Sequence, residues 1–218
     1  PGVLIPRPET EVLVSEALRE LQLPRVADHV LTHEEGEEVV SADLPPIRVL
    51  DVCTGSGCIA CAIASEYPAA QVIALDIADE AVKLAKENTE ELGLQDRVEV
   101  RKSDLLEAVD LSEYGSFDLL ISNPPYIPTA VLEGLEKEVT EFEPRLALDG
   151  GKDGLDLVRI LFKEALLALK PKGVIALELF EGHLEQAADL CQKAGFTDVR
   201  IVKDLTDRPR VLIGHAPQ

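Results

Sequence analysis

The chain has 218 residues, 46% of them hydrophobic and 28% charged, a size and balance that suit one globular domain able to bury a core without disulfide or metal staples. Its 21 basic and 41 acidic residues give a net charge of −20, a field that repels phosphate backbones and argues against a nucleic-acid substrate. No apolar run reaches membrane-spanning length and no charged-then-apolar signal segment opens the chain, so the sequence reads as cytoplasmic and without a membrane partner.

The chain starts at Pro1 and contains no methionine, which suggests a piece of a longer protein. After "PGVLIPRPETE", the stretch "TEVLVSEALREL" places Val12, Leu13, Ala17, Leu18 and Leu21 at helical spacing. Thr10 and Ser15 are candidate caps and Pro24 a stop, so residues 1–24 form a segment and helix expected to pack on the main domain. Residues 25–46 lose periodicity, carry "EEGEE" and end in "LPP", which reads as an acidic loop or insertion. His29 and His33 lie four apart in it, but without a third ligand they indicate no metal site.

From residue 47 to 218, strands and helices alternate. "IRVLDVC" reads as a strand, "GCIACAIASEY" as a helix, "AQVIALD" as a strand and "DEAVKLAKENTEELG" as an amphipathic helix closed by Gly93. The strand "RVEVRKSD", an acidic helical turn and the strand "FDLLISN" follow, then a loop to about residue 153. The helix "GLDLVRILFKEALLALK", the strand "GVIALELF", the helix "HLEQAADLCQKAG" and two last strands, "DVRIVKDL" and "RVLIGHA", complete the chain. Interleaved strands and helices imply crossovers and a mostly parallel sheet covered on both faces. The last two strands have no helix between them and should pair antiparallel at one edge. The fold class is therefore α/β and Rossmann-like, with a seven-stranded sheet.

Cys53, Cys58 and Cys61 mimic an iron–sulfur spacing, with Cys191 far downstream. Their apolar helical context instead predicts small buried reduced thiols. The stretch "LDVCTGSGCIA" places Asp51 at a strand end, followed by Gly55-x-Gly57-x-x-Ala60 at a helix start. Glycines there let backbone approach a ligand. Asp76 ends the next strand 76 − 57 = 19 residues after Gly57, the place from which a carboxylate meets ribose hydroxyls. These features alone serve NAD and S-adenosylmethionine alike. Asp51 before the turn suits a methionyl ammonium, and Asp104 in "KSDLL" suits an adenine amino group. The fourth strand, which neighbours the first in such sheets, delivers Asn123-Pro124-Pro125-Tyr126 in "SNPPYIP" beside the cofactor's reactive end. Prolines cannot continue a sheet ladder and offer carbonyls without a competing N–H, so the turn presents acceptors in fixed positions.

These residues resemble the HemK/PrmC family of glutamine N5-methyltransferases, through "LIPRPETE" at 4–11, "LDVCTGSG" at 50–57, "ALDI" at 74–77, "SDLLE" at 103–107, "ISNPPYIP" at 121–128 and "EPRLALDGGKDGL" at 143–155. The resemblance implies an S-adenosylmethionine-dependent methyltransferase fold and methyl transfer to a protein glutamine, with S-adenosylhomocysteine as product. The partner it implies is a peptide-chain release factor, methylated at its Gly-Gly-Gln glutamine, or alternatively a ribosomal protein. It implies cofactor contacts from Asp51, Cys53, Thr54, Gly55, Ser56, Gly57, Asp76, Ile77, Asp104, Leu105 and Asn123. Asn123, Pro124, Pro125 and Tyr126 would bind and activate the substrate amide, Tyr126 packing flat against it, while Arg7, Glu9 and Glu11 match the family's N-terminal segment near the site. The family's N-terminal helical domain has no counterpart in these residues. Cys53, Phe180 and Asp207 stand where the family carries glycine, and a cysteine fits the first position if its φ stays negative. Three rivals remain: an adenine N6 methyltransferase, which shares the N-P-P-Y pattern but needs a basic surface, an NAD(P) oxidoreductase, for which no catalytic group stands at a strand end, and a non-catalytic binding module, degenerate at Cys53 and Phe180.

Overall fold

The computed structural model describes residues 3, 7, 9–21, 44–132, 134 and 144–218. Pro24, His29, His33 and residues 25–43 of the acidic loop lie outside the described residues. Seven strands form one sheet: β1 Ile47–Val52, β2 Ala70–Asp76, β3 Val98–Lys102, β4 Phe117–Ser122, β5 Leu169–Glu178, β6 Thr197–Lys203 and β7 Pro209–His215. The longer helices are α1 Glu9–Glu20, α2 Cys58–Glu66, α3 Asp79–Glu91, α4 Asp156–Ala168 and α5 Leu184–Ala194. The strand order is β3-β2-β1-β4-β5-β7-β6. The first five run parallel, while β7 runs antiparallel to both β5 and β6. The expected antiparallel pair thus lies at one edge, with β7 inserted between β5 and β6.

Alternation along the central strands divides the core into two layers, as the period-two side-chain geometry of a sheet requires. Val49, Leu119 and Val174 point into the layer that α1, α2 and α3 cover, whereas Leu50, Leu120 and Ile175 point into the layer beneath α4 and α5. Because β1 and β4 are buried on both faces, they read as almost continuous apolar runs. The edge strand β6 is only partly covered and is correspondingly polar.

Two details differ from the expectations. Helix α1 already starts at Glu9, so Thr10 and Ser15 lie inside it rather than capping it. The region between β4 and α4 contains two short helical turns, Thr129–Leu132 and Arg145–Leu148, where the sequence suggests only a loop. The chain leaves β3 at one edge and re-enters the sheet at β4, beside β1. This reversal opens a crevice outside the carboxyl ends of β1 and β4, the place where such sheets bind ligands.

Candidate active site

A cavity of about 630 Å³ occupies that crevice. Cys53, Thr54, Gly55 and Ser56 from the loop after β1 form one wall, with Asp76 and Ile77 from the end of β2. Asp104 and Leu105 after β3, and Asn123 and Pro125 after β4, close the other sides. The four predicted strand ends therefore meet around one space. Its described lining includes the acidic Asp76, Glu80 and Asp104 and no lysine or arginine.

The glycine loop is held by carboxylates. Asp76 Oδ2 accepts from Gly55 N at 2.9 Å and its Oδ1 from Ala78 N at 2.9 Å, which fixes both rims of the cleft at once. Gly57 has φ +79°, and a Cβ there would lie 3.1 Å from Ala85 Cβ, so the loop packs tightly on α3. Asn88 of α3 donates from Nδ2 to Ser56 O at 2.8 Å and pins the loop from the same side.

Asp51 lies off the cavity wall. Its wholly buried carboxylate braces the loop from beneath, Oδ2 accepting from Thr54 Oγ1 at 2.5 Å and from Ala60 N at 3.1 Å, while Oδ1 has no partner among the described residues. Burial pushes its pKa up to about 7 against the lowering pull of those two bonds. Cys53 departs from the expectation of a negative φ: it stands at +60°, the left-handed region that a glycine occupies without strain. Burial and the nearby Asp76 and Asp51 push its thiol up to about 12, so it is protonated near neutral pH. Asp207 shares this habit with φ +65°, whereas Phe180 has an ordinary φ of −64° and stands exposed beyond β5. Cys58 and Cys61 begin α2, half-buried and buried, and no group of three or more ligating side chains is arranged around a metal position among the described residues.

The Asn-Pro-Pro-Tyr turn is backed by the segment "DGGKDG" at 149–154. Ile127 N donates to Leu148 O at 2.9 Å, and Gly150 N donates to Ile127 O at 2.8 Å. A Cβ at Gly150 would sit 2.7 Å from Tyr126 Cα, and one at Gly154 would sit 2.3 Å from Tyr126 O. Only glycines let the two segments lie this close. Tyr126 is half-buried against the layer under α4 and α5 and is not among the residues lining the cavity. Pro124 is buried, and Arg7 and Glu9 do not line the cavity either.

Several residues at the site were not expected from the sequence, Glu80 among them, and two bear on the argument. Thr10 of α1 lines the cavity. Glu178, at the end of β5 and 3% exposed, accepts from Asn123 Nδ2 at 3.0 Å. A buried glutamate closing an apolar strand was the available signal.

The sheet order, the glycine loop and the crevice are those of a Rossmann-like fold, and the match of residues 45–208 to the methyltransferase domain family makes it a methyltransferase domain. Among solved structures, the fold resembles the N-terminal domain of human METTL16 in complex with SAH, with a TM-score of 0.66 at 17% identity, covering 98% of this chain and 72% of that one. A methyltransferase from Pyrococcus furiosus gives a TM-score of 0.59 at 18% identity over 96% of this chain and 98% of that one. The release factor glutamine methyltransferase of Caulobacter vibrioides is 41% identical over 213 residues, covering 98% of this chain and 66% of that protein. That of Koribacter versatilis is 37% identical over 217 residues, covering 100% of this chain and 68% of its own. The chain belongs to the release factor glutamine methyltransferase family, and it spans about two thirds of the length of these relatives.

Proposed function

We propose that the chain is a catalytic unit that methylates the side-chain amide nitrogen of a protein glutamine, the Gly-Gly-Gln glutamine of a peptide-chain release factor, in the cytoplasm. The observation that carries this reading is a single cavity running from the glycine loop to Asn123, whose mostly apolar described lining includes Asp76, Glu80 and Asp104 and no lysine or arginine. A dinucleotide's pyrophosphate would meet only the backbone N–H groups at the start of α2, beside the carboxylates Asp76 and Asp104, whereas the sulfonium and ammonium of S-adenosylmethionine suit an acidic wall. Asp76 and Asp104 would hold the ribose and adenine, and the loop from Cys53 to Gly57 would cradle the amino-acid end. When bound, the cofactor supplies a methyl group carried on positively charged sulfur.

A glutamine amide nitrogen is a weak nucleophile because its lone pair is delocalised into the carbonyl. Transfer of the methyl from sulfur to that nitrogen would place positive charge on it, the charge the site's own acceptors would have to stabilise. Asn123 Oδ1 and the Pro124 carbonyl would accept from the amide NH₂, hold it in line and stabilise that charge. The N-methylated amide then loses a proton to water, so no base with a raised pKa is required. Removing Asn123 should therefore act on the chemical step. We expect Asn123→Ala in the full-length protein to bind S-adenosylhomocysteine as the wild type does while transfer to a release factor falls roughly a hundredfold. Unchanged turnover in that variant would defeat the assignment. The net charge of −20 disfavours an adenine substrate, and duplex DNA binding that falls steeply with salt would restore it.

A further inference from the structure

Resting on that reading of Asn123, we propose that Glu178 is a positioning residue that sets which end of the Asn123 amide faces the acceptor nitrogen. An ionised carboxylate only accepts hydrogen bonds, so it must meet the NH₂ end of the asparagine. The 3.0 Å bond from Asn123 Nδ2 to Glu178 Oε1 is that pairing, and it turns Asn123 Oδ1 away from Glu178. The negative charge behind the amide also polarises it, which makes Oδ1 a stronger acceptor as charge builds on the substrate nitrogen.

The surroundings of Glu178 suit a group kept for this purpose. It is 3% exposed at the end of β5, and its Oε2 is buried with no hydrogen-bond partner among the described residues. Burying a carboxylate opposes folding even where Asn123 Nδ2, the Thr10 hydroxyl and Arg210 lower the cost, so stability alone does not account for a glutamate at this place. Glu9 of α1 faces it with like charge and Arg210 of β7 with opposite charge, and the Thr10 hydroxyl of α1 favours its ionised form. Arg210 is itself engaged by Asp204, at 3.3 Å.

Protonation would undo the device. A neutral Glu178 can donate to Asn123 Oδ1 as well as accept from Nδ2, so the amide is free to turn over and present donors to a substrate that also offers donors. Burial raises the Glu178 pKa above the ordinary carboxylate value, which moves this loss toward neutral pH. Activity should fall as pH drops through that pKa.

The test uses the full-length protein with S-adenosylmethionine and a purified release factor, comparing wild type, Glu178→Gln, Glu178→Leu and Asn123→Ala. Glutamine at 178 is isosteric and satisfies either orientation of the asparagine at every pH. Glu178→Gln should lower kcat roughly tenfold, leave KM for the release factor and S-adenosylhomocysteine affinity within about twofold, and abolish the acid limb of kcat. Glu178→Leu should lower kcat by about a hundredfold. If the leucine variant fails to fold, the isosteric glutamine variant decides. Wild-type kcat with an intact acid limb in Glu178→Gln would overturn the proposal. A large loss in Asn123→Ala beside unaffected Glu178 variants rejects this proposal alone. A wild type that methylates no glutamine, or an Asn123→Ala variant with full activity, rejects the functional reading and this proposal with it.

Discussion

Substituting Gly154, which does not itself line the cavity, by alanine should disturb the site through the turn that carries Asn123 and Pro125. Gly154 has φ +78°, and an added Cβ would lie 2.3 Å from Tyr126 O and 2.5 Å from His183 Cε1. An ordinary carbon–oxygen contact is about 3.4 Å, so Tyr126 and the strap must separate by roughly 1 Å. The left-handed backbone adds about 1 kcal/mol for any residue with a Cβ, and forced repacking at a buried contact adds about 1–3 kcal/mol. The sum is about 3 kcal/mol, which in a chain of this size lowers Tm by roughly 6–12 °C. Displacing the Asn-Pro-Pro-Tyr turn by about 1 Å should also cost on the order of a hundredfold in methyl transfer. Calorimetry, isothermal titration with S-adenosylhomocysteine and a methyl-transfer assay on Gly154→Ala separate these effects. The expected result is a lower Tm and kcat with cofactor affinity less affected, because most of the residues proposed to hold the cofactor follow β1, β2 and β3 and only Asn123 and Pro125 of the lining belong to the displaced turn. A variant with wild-type Tm and kcat would refute the view that the strap positions the turn.

Asp51 gives a pH prediction. Its pKa is about 7 in the folded chain and 3.8 when exposed, so the folded state holds a proton that the unfolded state has released. Its contribution is full below about pH 4 and is lost as pH rises through about 7. Relative to Asp51→Asn, the wild type should therefore lose on the order of 4 kcal/mol of stability over that range, measured by denaturant unfolding at each pH, and parallel curves would show that Asp51 does not titrate there. Cys53, at φ +60°, should tolerate glycine: Cys53→Gly should remain within about 1 kcal/mol of the wild type, relief of left-handed strain being offset by unfolded-chain entropy. Cys53→Val should lose about 2 kcal/mol and weaken cofactor binding, since a β-branched residue resists positive φ; equal stabilities for the two variants would contradict the strained backbone.

The features legible in the sequence were those with local backbone causes. Glycines at 55 and 57, the carboxylates closing β2 and β3 and the prolines closing β4 each announce a strand end in the residues themselves, and alternation of apolar runs gave the layered sheet. What stayed hidden depends on contacts across the chain. Glu178 meets Asn123 across 55 residues, and Thr10 reaches the cavity only because α1 packs across the sheet near β5. Asp51 looks from its position like a cofactor ligand, yet the direction of its side chain toward Thr54 and Ala60 is set by the pleat of β1. The "DGGKDG" segment resembles a loop because its role, close backing of Tyr126, appears only once β4 and α4 are adjacent.

The most direct measurement is tandem mass spectrometry of a release factor incubated with the full-length protein and S-adenosylmethionine. A single added methyl on the amide nitrogen of the Gly-Gly-Gln glutamine, absent with Asn123→Ala, is the predicted result. An unmodified release factor in the presence of protein that binds the cofactor normally would contradict the account.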